Sequence, residues 1–419
     1  VTDPLLDCDP SRPFRWLYLD FNSFFASVEQ QDHAELRGRP VGILAAPGEN
    51  TCVIAASIEA RTHGVKTGTP LHEARRLCPG IIFRPARHAL YTAYHRRILA
   101  ELDRHLPVER VWSIDEVSAR LLGPQRRPEA AFALARAIKA GLAEHIGSCL
   151  RCSIGLAPSR HLAKLATELQ KPDGLVALRP EDLPGPLLHL ALRDIPGIGR
   201  GMAARLARCG ITDMAGLWSL GPKRARLIWN SVEGERFWYG LRGADLPEPR
   251  APAIPRSIGH ARVLPPALRE AEAAHHVTRL LAMKAAARLR AAASLATILI
   301  LHVEPARGSA TREQGLQGET RLRQTDDDRV VLGELDRLWG QLPPIRYWRV
   351  AVTLAGLIPA ANATPDLLDW AAGRSSPRLA EAMARIHRRF GRDSLLFGPA
   401  PRDRDAYAEH KVAFSRVPD

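Results

Sequence analysis

Apolar and polar positions follow two rhythms over the first 176 residues. Short apolar runs of strand length alternate with stretches that repeat every 3.6 residues, the period of a helix packed on one face. Residues 14–30 predict a strand ending near Asp20 and a helix beginning near Ser23. Residues 40–57 predict a hairpin with Pro47-Gly48-Glu49-Asn50 as its turn. Short helices are expected at 58–62, broken at Gly64, and at 70–77, and a longer one at 89–105. A strand at 108–112 and a returning strand at 117–121 flank Ser113-Ile114-Asp115-Glu116. The helical period resumes at 129–146, with Ala131, Leu134, Ala135, Ile138 and Leu142 on one side. A strand at 149–156 and a helix at 159–169, capped by Ser159, complete an α/β domain over about 10–176.

The pattern then changes. Residues 186–245 carry short helical patterns punctuated by Gly and Pro, which predicts a small all-helical domain. A proline-rich stretch up to Pro255 reads as a stiff, extended linker. Residues 256–355 return to alternation: strands near 257–263, 296–303, 317–324 and 346–354, and helices at 269–291 and 331–340. A helix at 376–390 and a loop-rich tail close the chain.

At 419 residues the chain is long enough for about three domains, and 46% apolar residues can build real cores. Lys and Arg number 59 against 45 acidic residues, a formal charge of +14. That excess suits a polyanion, either nucleic acid or an acidic membrane surface; composition does not choose between them. No run approaches the roughly 20 apolar residues of a membrane span, and the first residues lack a secretion signal, so a cytoplasmic location is expected. Six scattered cysteines are too few for a disulfide scaffold. Cys149-Leu150-Arg151-Cys152 has the spacing of half a zinc site, but no second pair lies near it.

Three acids draw attention. Asp20 ends an apolar strand, and Asp115 and Glu116 sit at the tip of a hairpin. Carboxylates brought together there would repel one another without cations, although turn and cap chemistry accounts for each one singly. Hard dications take oxygen ligands and share them with a substrate's phosphates.

The residues around these acids resemble the Y-family of DNA polymerases. Leu19-Asp20-Phe21-Asn22-Ser23-Phe24-Phe25 is similar to the family's first metal motif and Ser113-Ile114-Asp115-Glu116 to its second. The third is matched by the stretch from Ser153 to Ala166, followed by Lys171-Pro172-Asp173-Gly174. The resemblance implies a multidomain α/β right hand: palm at 14–32 and 79–176, small fingers at 33–78, helical thumb at 177–245, linker at 246–255, α/β little finger at 256–355 and a C-terminal extension at 356–419. It implies a DNA-directed DNA polymerase of low fidelity, active in lesion bypass and monomeric in the nucleoid. Two magnesium ions, replaceable by manganese, would be held by Asp20, Asp115, Glu116 and the Phe21 carbonyl. Phe25 would be the steric gate against ribonucleotides, and Phe24, Phe25, Arg61 and Lys171 would hold the triphosphate of the incoming dNTP.

Ile195-Pro196-Gly197-Ile198-Gly199-Arg200-Gly201 resembles a helix–hairpin–helix turn, so Gly197, Gly199 and Arg200 are expected on primer–template DNA. Arg256, Ser257, Gly259, His260 and Arg262, on the strand that opens the little finger, are expected on phosphates. Leu395, Leu396 and Phe397 loosely resemble a peptide that docks on a sliding clamp. Three departures stand out: Ile58 where the family pattern usually has Tyr, Asn22 at a position often acidic, and Val117-Ser118-Ala119-Arg120 after the second motif. They point to altered nucleotide affinity and keep a second reading open, a catalytically weak or inactive DNA-binding adaptor.

Overall fold

The computed structural model describes residues 6, 9–45, 48–49, 51–247, 255–306 and 315–363, with Ala382, Met383, Arg385, Ile386, Arg389 and Phe390 beyond them. The chain divides into two units after residue 248. The expected linker lies largely outside the described residues, as do most of the helix expected at 376–390 and the clamp-like Leu395, Leu396 and Phe397.

In chain order the first unit contains β1 (Trp16–Phe21), α1 (Phe24–Asp32), β2 (Val41–Leu44), β3 (Val53–Ala56), α2 (Ile58–Thr62), α3 (Leu71–Leu77), β4 (Ile82–Pro85) and α4 (His88–Asp103). There follow β5 (Arg110–Val111), β6 (Glu116–Arg120), α5 (Pro128–Gly141), β7 (Cys152–Ala157), α6 (Arg160–Leu169) and β8 (Leu175–Ala177). Its main sheet runs β5-β6-β1-β7-β8, antiparallel except for the β7–β8 pair. The central β1 is buried at all six positions, and its side chains alternate between two cores. Leu17, Leu19 and Phe21 pack with Ile98 and Leu102 of α4 and with Ala131, Ala135 and Ile138 of α5. Trp16 and Tyr18 pack with Leu162 and Leu165 of α6. Asp20 has the parity of Trp16 and Tyr18, so it faces α6. Cys149 lies before β7, not in it as expected, and both it and Cys152 are free thiols.

A smaller sheet, β3-β2-β4, packs with α2 and α3 around Leu44, Val53, Ala60, Leu71 and Ala74. The hairpin expected at 40–57 is the antiparallel β2–β3 pair; Pro47 and Asn50 of its turn lie outside the described residues. Beyond β8 the described residues of this unit form helices, α7 (Arg200–Arg208), α8 (Met214–Trp218), α9 (Pro222–Trp229) and α10 (Val232–Leu241), with short 3-10 turns before them. They share the core behind Trp16 and Tyr18. Ser159 Oγ accepts from Leu162 N (3.1 Å) as the α6 cap and donates to the Gly240 carbonyl (2.6 Å), tying α6 to α10.

The second unit is one antiparallel sheet, β11 (Leu316–Thr325), β10 (Ser294–Pro305), β12 (Tyr347–Ala355) and β9 (Ser257–Val263) in spatial order, with α11 (Ala271–Ala291) and α12 (Asp328–Trp339) packed against it. A short β13 (Ile358–Pro359) that the sequence pattern did not predict pairs with the start of β10. Two basic residues of α11 tie it to neighbouring acids: Arg279 pairs with Asp336, and Arg290 with Asp328 (2.9 Å).

Candidate active site

The expected carboxylates meet at one end of β1. Asp20 and Glu116 are direct cross-strand partners on β1 and β6, so their side chains leave the same face. Asp115 stands at the hairpin tip, where its carbonyl accepts from Phe21 N at 2.9 Å. The tip is braced from beneath by His95 of α4, whose Nδ1 lies 2.8 Å from the Ile114 carbonyl. Burial lowers the His95 pKa, so the ring is neutral with Nδ1 as the donor.

All three acids line a cavity of about 490 Å³, together with Phe21, Phe24, Phe25, Ile58, Arg61, Lys164, Glu168 and Lys171. The sequence-derived metal, gate and triphosphate residues therefore share one site. Ile58 sits in its wall, and an aliphatic group there offers no hydrogen bond to a ligand.

Two lysines dominate the local charge. Lys164 Nζ donates to Asp20 Oδ2, to Glu116 Oε1 (3.0 Å) and to Glu168 Oε1 (3.1 Å). Lys171 Nζ lies 3.0 Å from Asp20 Oδ2 and 2.9 Å from Glu168 Oε1. Burial disfavours the charged Lys164, but Asp20, Glu116 and Glu168 more than offset this and hold its pKa above the usual lysine range. Tyr18 donates to Glu116 Oε2 at 2.6 Å. Reading the sequence assigned Lys164 and Glu168 no role. Their signal was the 164, 168, 171 spacing, which puts all three on one side of a helix and its continuation.

Among the described residues, no group of three His, Cys, Asp or Glu side chains is arranged to hold an ion. Asp20 and Glu116 are instead turned onto ammonium groups. The donor set still fits a hard dication, because every ligand in reach is oxygen. Asp115 is the telling member. Its carboxylate takes a hydrogen bond from the Ser113 hydroxyl, and among the described residues it has no ion-pair partner. Burial pushes its pKa up to about 6; Ser113 works the other way, and the Asp20 and Glu116 charges add to the rise. The site thus carries negative charge that its lysines leave uncompensated.

Asn22 has a structural task. Its Nδ2 donates to Ser153 Oγ at 3.2 Å and its Oδ1 accepts from Asp173 N at 2.7 Å. Lys139 Nζ adds bonds to the Cys152 carbonyl (2.8 Å) and the Asp173 carbonyl (2.7 Å). Together they pin the loop that presents Lys171.

The expected DNA contacts fall at separate places. Gly197 adopts φ +95° and Gly199 caps α7 at exposed Arg200, the geometry of a tight turn into a helix N-terminus. On β9, an edge strand, Ser257 and Gly259 are exposed as is Arg256 before them. His260 and Arg262 share the parity of buried Ile258 and are half-buried.

Solved structures with the same fold include a Y-family polymerase chimera of Dbh and Dpo4 (TM-score 0.65, 24% identity, 82% of this chain and 99% of that one). An insertion ternary complex of Dbh DNA polymerase matches at TM-score 0.52, with the same identity and coverage. The architecture is thus the right hand of palm, fingers, thumb and little finger. The impB/mucB/samB family model matches residues 19–168 and its C-terminal domain model residues 255–367. A DNA polymerase IV of Moorella thermoacetica is 35% identical over 90% of this chain and 93% of its own length. A DNA polymerase IV of Stenotrophomonas maltophilia is 37% identical over 49% of this chain and 57% of its own. The chain belongs to this family, the Y-family of DNA polymerases, as a divergent member of the bacterial type.

Proposed function

We propose that the chain is a template-directed DNA polymerase that adds deoxynucleotides to a primer 3′-hydroxyl with low fidelity, in lesion bypass and DNA repair. The observation that carries this reading is the convergence of Asp20, Asp115 and Glu116 on one cavity with Phe25, Arg61 and Lys171. Asp20, Asp115, Glu116 and the Phe21 carbonyl would hold two magnesium ions, or manganese in their place. Bound there, such ions supply charge that activates an attacking hydroxyl and stabilises the departing pyrophosphate.

The chain's own residues do the rest. Arg61 and Lys171 neutralise and orient the triphosphate, Arg as a forked donor and Lys as a compact charge. Phe24 and Phe25 close the cavity wall, and the Phe25 ring excludes a 2′-hydroxyl. The Gly197–Gly199 turn and the exposed edge of β9 hold duplex DNA through phosphates, independently of sequence. The expected palm, fingers, thumb and little-finger boundaries are the division that goes with this reading.

Single-nucleotide extension of a primed template, undamaged and lesion-bearing, tests it. Extension with magnesium and dNTPs, lost on Asp115→Ala/Glu116→Ala, is the expected result. No extension beyond that variant, with DNA still bound, would leave the adaptor reading in its place.

A further inference from the structure

Phe25 presents one side of its ring to the cavity and lays the other flat on Tyr91 of α4, with centroids 4.4 Å apart and planes at 15°. Tyr91 is fully buried and does not line the cavity. Its hydroxyl donates to Glu29 Oε1 at 2.8 Å. Glu29 lies one turn beyond Phe25 on the same helix, α1, and is 1% exposed. Both of its carboxylate oxygens are taken by Arg87, Nε at 3.0 Å and Nη2 at 2.5 Å, and Nη2 also reaches Asp32 at 2.8 Å. Burial, then the Glu29 charge, raises the Tyr91 pKa, so the phenol stays a donor.

These contacts close a loop: ring on ring, phenol on carboxylate, carboxylate on guanidinium. Phe25 and Glu29 ride on α1; Tyr91 is in the first turn of α4 and Arg87 immediately precedes it. The bridge therefore fixes the separation of two helices at the point where the Phe25 ring is backed. A gate that rejects one extra oxygen atom works by hard contact, and retreat of its ring by a fraction of an ångström opens the room that the oxygen needs. Packing against Tyr91 prevents that retreat.

We propose that Glu29 and Arg87, neither of which reaches the cavity, act through Tyr91 as positioning residues for sugar discrimination. The proposal rests on Phe25 being the gate, so the test separates the two. The quantity read is the ratio of kcat/KM for a dNTP to that for the matching rNTP, in single-nucleotide incorporation by the full chain, with thermal melting as the check on folding. Phe25→Ala should collapse the ratio. Tyr91→Leu and Arg87→Gln should lower it about tenfold, through better rNTP use and with dNTP turnover kept. Arg87→Lys should restore part of it. Tyr91→Phe keeps the ring and the fold and reads the hydroxyl anchor alone; it should fall between parent and Tyr91→Leu. If Phe25→Ala admits rNTPs while folded Tyr91→Leu, Tyr91→Phe and Arg87→Gln all keep the parent ratio, the positioning role is refuted. If Phe25→Ala leaves the ratio unchanged, the gate assignment fails and the positioning role falls with it.

Discussion

Lys164→Met removes the ammonium shared by three carboxylates and keeps the length of the side chain. Lys164 and Asp20 have side chains only 15% and 7% exposed. Removing one partner of a buried pair costs about 3–5 kcal/mol, mostly because the other charge is left stranded. Here Lys171 still stands 3.0 Å from Asp20 and 2.9 Å from Glu168, and Tyr18 still donates to Glu116. With that compensation we expect a net loss of about 2 kcal/mol without divalent metal. At 2–4 °C per kcal/mol for a domain of this size, melting in EDTA should fall by about 4–8 °C. Magnesium should reverse most of it. In the parent a metal must compete with Lys164 for Asp20 and Glu116, and in the variant it need not, so magnesium should raise the variant's melting temperature more than the parent's. Differential scanning calorimetry in EDTA and in saturating magnesium measures both shifts. Equal melting of the two proteins in EDTA, or a variant that gains no more from magnesium than the parent, would mean that Lys164 neither stabilises these carboxylates nor competes with metal for them.

Ile58→Tyr should lower KM for dNTPs about tenfold with kcat little changed, because it places a hydroxyl donor in the wall of the cavity; steady-state extension kinetics read this. Gly155→Ala should destabilise the first unit by about 3 kcal/mol or more in urea unfolding, because a methyl there would lie 2.0 Å from the Ala163 carbonyl and force β7 and α6 apart. His161 is half-buried with its ring edge-on to Phe237, and burial, then the Arg160 charge, holds its pKa down to about 4 from 6.5. The unfolded chain then binds the extra proton, so this stability is present above pH 6.5 and lost as pH falls towards 4, about 3 kcal/mol in all. Asp115, whose pKa is raised, contributes the opposite slope. The difference in stability between parent and His161→Leu, followed over that pH range, should isolate the histidine.

Much of this architecture was legible in the sequence because its signals are local. The short apolar run of β1, the Ser159 cap and the glycines around Ile198 each specify an element without reference to the rest of the chain. Asp20, Asp115 and Glu116 could be singled out as strand-end acids, and strand parity on the folded sheet explains why Asp20 and Glu116 meet. What stayed hidden depends on partners distant in sequence. Lys164 and Glu168 stand four residues apart on α6, and nothing in that spacing shows the Asp20 that β1 brings beneath them. The acidic partners of Arg279 and Arg290 are likewise distant in sequence, Asp336 and Asp328 of α12. The stack of Tyr91 on Phe25 and its anchor through Glu29 to Arg87 carry no periodic signature at all. β13 is too short for its pattern to stand out from a loop.

The proposed polymerase chemistry requires Asp20, Asp115 and Glu116 together to bind paired dications. Manganese bound to the protein with primer–template DNA and a non-hydrolysable dNTP can be counted by electron paramagnetic resonance. Two ions are expected on the parent, with the loss of at least one on Asp115→Asn while DNA is still bound. Equal manganese occupancy in parent and variant would contradict that chemistry.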